Sequence, residues 1–62
     1  MKKVAIYFST LDELTEFESQ IESTDYFTDR NELLINGTFT EREIELALNA
    51  YRARIVELNN LV

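Results

Sequence analysis

Two Thr-x-x-Glu signatures, Thr10-Leu11-Asp12-Glu13 and Thr40-Glu41-Arg42-Glu43, each follow a short apolar run and precede an amphipathic one. At such a site the threonine hydroxyl accepts from the amide three residues on. The glutamate carboxylate reaches back to the threonine amide, so two orphan donors of a helix start are satisfied together. Phe39, just ahead of Thr40, can also pack on Ile44 as a hydrophobic staple. The two signatures bind the chain to an alternation of strand and helix, because each apolar run must stop where a helix begins.

Residues 3–8, Lys-Val-Ala-Ile-Tyr-Phe, are β-branched and aromatic and predict the first strand. Val4, Ile6 and Phe8 would share one face, Ala5 and Tyr7 the other. Leu11, Leu14, Phe17 and Ile21 recur at helical spacing and predict a helix ending near Ser23. After Thr40 a longer stripe, Ile44, Ala47, Leu48, Tyr51, Ile55 and Leu58, predicts a helix from about Glu41 to Leu58 or just beyond, with no internal glycine or proline. Between the helices, Tyr26-Phe27-Thr28 and Leu33-Leu34-Ile35 are strand candidates joined by a turn at residues 29–32. A hairpin closing at Asn36-Gly37 is the rival. Only Thr38 and Phe39 remain for its second strand, so the turn at 29–32 is favoured. Gly37 is then assigned a special backbone conformation in the strand-to-helix link.

The resulting order is β-α-β-β-α. It suits an α+β two-layer sandwich, with a three-stranded antiparallel sheet in order 1-3-2 and both helices on one face. The first strand would be an open edge. This architecture resembles a split β-α-β ferredoxin-like unit lacking its final strand. A resemblance of architecture implies no function.

At 62 residues the chain is one small domain, and a chain of this size buries only about 60 % of its unfolded surface. Cysteine is absent, which removes disulfides and thiolate metal sites. Histidine is absent too, and with it the commonest metal ligand and general base. Self-association is the remaining route to extra burial. The apolar run Val4–Phe8 is too short for a signal-peptide core or a membrane span, so a cytoplasmic protein is expected. In that setting the glycosylation pattern Asn36-Gly37-Thr38 is an accident of composition.

Twelve acids against six bases give a net charge of −6. That balance disfavours direct contact with nucleic acid or an anionic membrane and favours a basic protein surface. Ser9, Ser19 and Ser23 have no histidine to activate them. Asp25, Asp29, Asn31 and Glu32 lack the glycine of a calcium loop and hold Arg30 in their midst, so they read as turn formers. No catalytic residue, cofactor or metal is expected.

Asp12, Glu13, Glu16, Glu18, Glu22 and Asp25 form an acidic run with no base among them. Asp12/Glu16 and Glu18/Glu22 would be like-charge i, i+4 pairs, each costing about 0.2–0.5 kcal/mol. A solvated face that confers solubility is the plain explanation. The functional one is a non-enzymatic protein that docks this face on a basic partner, such as a nucleic-acid-binding protein. It would act as an inhibitor or nucleic-acid mimic of phage or mobile-element type. The alternative is a homodimeric scaffold. Its interface would be a small-residue seam on the second helix, Leu46, Ala50 and Ala53 with Val56 nearby, together with Tyr7 and the first-strand edge.

Overall fold

The computed structural model describes residues 2–57. The elements in chain order are β1 (Lys2–Tyr7), α1 (Leu11–Gln20), β2 (Tyr26–Asp29), β3 (Leu34–Phe39), α2 (Glu41–Tyr51) and β4 (Arg54–Glu57). The described residues are α+β, with two helices and a four-stranded antiparallel sheet in the order β2-β3-β1-β4. The expected neighbours β1, β3 and β2 are in place. A fourth strand is added on the far side of β1, so β1 is central and its expected open edge does not exist.

The reason is where α2 stops. Arg52 adopts the left-handed conformation at φ 54° and ψ 37°, and the Ala53 amide donates to the Ala47 carbonyl at 3.0 Å. That left-handed cap turns the chain back, and Ile55-Val56 then pair with Ile6 and Ala5 of β1. Neither glycine nor proline marks the stop, and Ile55 satisfies a helical stripe as well as an inward strand position. The predicted stripe therefore ran through a real boundary; its last member, Leu58, lies outside the described residues. Within α2 the buried side is centred on Glu43 and Ala47, whereas Leu48, expected inside, is 44 % exposed. Left-handed backbone costs a side-chain-bearing residue roughly 1–2 kcal/mol that glycine avoids. Arg52 is exposed, with little packing to lose. Arg52→Gly is accordingly expected to raise stability by about 0.5–1 kcal/mol in urea unfolding; a lower midpoint would contradict this account of the helix end.

The turn between β2 and β3 falls where expected. Asp29 Oδ1 accepts from the amides of Asn31 and Glu32 at 3.1 and 3.2 Å, and Leu33 closes the turn at φ 56°. Strand β3 then runs straight through Asn36-Gly37 to Phe39. Gly37 thus sits inside a strand and does not have a positive φ, contrary to the expected special conformation in a link. What requires glycine is close approach. A Cβ there would lie 2.5 Å from Tyr26 Cα and Cβ and closer still to the Asp25 carbonyl.

Paired residues of an antiparallel ladder project to the same face. Val4, Ile6, Ile35 and Phe39 point to one side and are fully buried against Leu14 and Phe17 of α1 and Ala47 of α2. Both helices therefore cover one face of the sheet, as expected. Aromatic rings knit the layer: Phe17 lies 5.3 Å from Phe8 and 6.0 Å from Phe39, and Tyr26 stacks on Phe39 at 6.0 Å. Each such side chain contributes about 1.5–3 kcal/mol by leaving water.

Candidate functional site

Both helix starts are capped by their threonines, but of the two expected boxes only that of Thr40 is complete. Thr40 accepts from the Glu43 amide at 3.2 Å and Glu43 returns the bond to the Thr40 amide at 3.0 Å, a complete box. Thr10 accepts from the Glu13 amide at 3.1 Å. The Glu13 carboxylate is turned inward instead, with Oε1 buried and unpartnered among the described residues.

Glu43 does more than cap. Its Oε2 accepts from the amides of Glu22 and Ser23 at 2.9 and 3.1 Å, and its Oε1 accepts from the Ser23 hydroxyl at 2.6 Å. One carboxylate thus ties the link after α1 to the start of α2. Burial alone would raise its pKa. The Ser23 hydroxyl and the amides of Thr40, Glu22 and Ser23 outweigh that and hold it at about 2, against an ordinary 4.5. Sequence marked only the local half of this arrangement, because the Ser23 partner is 20 residues away. Beside the clamp lies an open groove of about 700 Å³ between the end of α1 and the start of α2, rimmed by Gln20, Arg42 and Leu46. The one carboxylate buried at its floor is already saturated with donors.

The six acids of the candidate surface separate into two groups. Glu18 is half-buried toward the sheet; it accepts from the Thr28 hydroxyl and pairs with Arg30 at 3.5 Å. Glu13 sits on the opposite flank of α1, and with Glu16 its charge pushes the Tyr51 pKa upward, although burial is the larger cause. The Gln20 amide donates to the Tyr51 hydroxyl, joining α1 to the end of α2. Asp12, Glu16, Glu22 and Asp25 are left exposed along α1 and the link that follows it. Among the described residues the ion pairs are Lys2–Glu57 and Arg30–Glu18, and neither draws on these four acids. The expected Glu18/Glu22 helix pair does not form, because α1 ends at Gln20 and Glu18 is held by Arg30.

The expected oligomer residues do not share a surface. Leu46 packs on the core, Ala50 is exposed on α2, and Ala53 is buried beyond the helix end. The seam needed a continuous helix to residue 53, and α2 stops two residues short. Tyr7 lies on the opposite face of the sheet, away from α1 and α2. There, one ladder row is Phe27–Asn36–Ala5–Val56 and the next is Asp29–Leu34–Tyr7–Arg54. Phe27, 65 % exposed, is the most exposed large apolar side chain among the described residues. Sequence carried its signal in the strand alternation of Tyr26-Phe27-Thr28, but which side was covered depended on the helices.

Among the described residues, no group of three or more acids gathers with metal-ligand geometry, and no helix is long and apolar enough to cross a membrane. Comparison with family models, with curated proteins and with solved structures returned no match to this chain.

Proposed function

We propose that the protein works as a non-enzymatic binding module that docks the outer side of α1 and its following link on a basic protein surface. The observation that carries this reading is the charge left unspent there. Asp12, Glu16, Glu22 and Asp25 are exposed and take no part in the ion pairs among the described residues. Asp12 and Glu16 tolerate a like-charge spacing that a lysine would relieve. Glu18 and Glu13 support this surface from its flanks and do not belong to its contact area. A basic site on a nucleic-acid-binding protein suits such a face, because carboxylates spaced along a helix present charge of the sign of a phosphate backbone. Occlusion of that site, as an inhibitor of phage or mobile-element type would achieve it, is the corresponding mechanism.

The structure also selects the variant that tests it. Glu16→Lys, Glu22→Lys and Asp25→Lys together alter only exposed side chains and change the net charge from −6 to zero, two charges at each of three positions. Glu32→Lys, Glu41→Lys and Glu45→Lys make the same change at exposed positions away from α1 and its link. Both should keep a cooperative fold by circular dichroism. The first set is expected to weaken partner binding at least 100-fold and the second less than about tenfold, since location and not net charge sets a docking interface. Equal losses in the two sets would reject the assignment.

A further inference from the structure

We propose that the face of the sheet opposite α1 and α2 is a self-association surface, on which two copies pack face to face about a two-fold axis running along the strands. This goes beyond the acidic docking reading and uses the opposite side of the molecule. Phe27, Tyr7 and Val56 are three of the five large apolar side chains exposed among the described residues, and all three lie on this face. An axis along the strands sets β2 of one copy across β4 of the other, and β3 across β1. In the order β2-β3-β1-β4 each ladder row then meets its own reverse. Phe27 falls over Val56, and Leu34 falls over Tyr7. Asp29, at one end of its row, falls over Arg54, at the other end, and every contact occurs twice.

The Asp29–Leu34–Tyr7–Arg54 row is therefore complementary to itself in sign, with an apolar middle and opposite charges at its ends; in the next row Asn36 falls over Ala5 between the two Phe27–Val56 contacts. A two-fold axis across the strands would instead lay the Phe27 ring on Asp29 of the other copy. Two twisted sheets stacked in this way keep their strands within about 30° and lie about 10 Å apart. Strands about 4.8 Å apart, two of them six residues long and two of them four at about 3.3 Å per residue, give a plane of about 300 Å² per copy. That is below the roughly 800 Å² per partner of a standard stable interface. The dimer is thus reversible and concentration-dependent, and it leaves the two acidic layers facing outward.

Sedimentation equilibrium on the full chain, from about 10 μM to 1 mM, reads this directly. The average mass should climb from the 7.3 kDa of one chain toward twice that value, and the dissociation constant should rise with salt. Phe27→Lys should remain at the single-chain mass throughout. Arg54→Asp should weaken association about tenfold, since two cross-copy pairs are lost at once. Leu48→Lys, at an exposed position on α2, should associate as the unaltered chain does. A single-chain mass at every concentration would overturn the proposal. So would dissociation by Leu48→Lys with Phe27→Lys unaffected, or capture of an unrelated protein on this face by a chain that stays single on its own.

Discussion

Gly37→Ala is expected to cost about 2–3 kcal/mol, and Gly37→Val to leave the chain largely unfolded at 25 °C. The atoms that an added Cβ would strike are mostly backbone: the Asp25 carbonyl and Tyr26 Cα, with Tyr26 Cβ beside them. No side-chain rotation relieves that contact, so β2 must move away from β3. Both the Thr38–Asp25 hydrogen bond at 3.0 Å and the Tyr26–Phe39 stack depend on its present place. Alanine would otherwise be mildly favourable in a strand, by about 0.5–1 kcal/mol, because glycine loses more entropy on folding. The sign of the effect therefore decides between close approach and ordinary propensity. Total stability of a domain this size is roughly 3–9 kcal/mol, so the loss is readily seen as a lower urea midpoint. An unchanged or higher midpoint for Gly37→Ala would contradict the packing described at this position.

The second large effect belongs to Glu43. In Glu43→Gln one acceptor oxygen becomes an amide nitrogen, and each oxygen of the native carboxylate faces two donors. The variant sets donor against donor in a site that is 8 % exposed, and a loss of about 3 kcal/mol at pH 7 is expected. The pH dependence follows from the depressed pKa. The folded value of about 2 lies below the ordinary 4.5, so the carboxylate stabilises the fold fully above pH 4.5. That contribution, about 3 kcal/mol for this shift, is lost as pH falls from 4.5 toward 2. Urea unfolding at pH 7, 4.5 and 2.5 should therefore show the difference between wild type and Glu43→Gln shrinking at the lowest pH. A difference that stays constant with pH would mean that the carboxylate charge is not what holds the link.

Much of the architecture could be read locally, and what could not was set by distant partners. The Thr40 box and the turn at Asp29 each rest on contacts within a few residues, and both are present. The end of α2 rests on Arg52 in a left-handed conformation that its side chain does not advertise, and on a β1 edge waiting some 50 residues upstream. Hence the local pattern extends the helix over β4 and leaves β1 as an edge, whereas the fold pairs the two. Gly37 was recognised as special, but its reason lies across the ladder at Tyr26 and not in its own backbone angles. For the acidic surface, the sequence offers a run of six acids as candidates. Only the fold separates Glu18, held by Arg30 and Thr28, and the inward-turned Glu13 from the four acids that face outward.

That outward charge is the centre of the functional account, and one measurement bears on it most directly. A basic protein captured from the source cell by the unaltered chain should be titrated against it across a range of salt concentrations. The Glu16→Lys/Glu22→Lys/Asp25→Lys chain and its charge-matched control should be titrated beside it. The account predicts affinity that falls steeply with salt, is abolished in the first variant, and survives in the control. Binding that is indifferent to salt and equal in all three chains would contradict it.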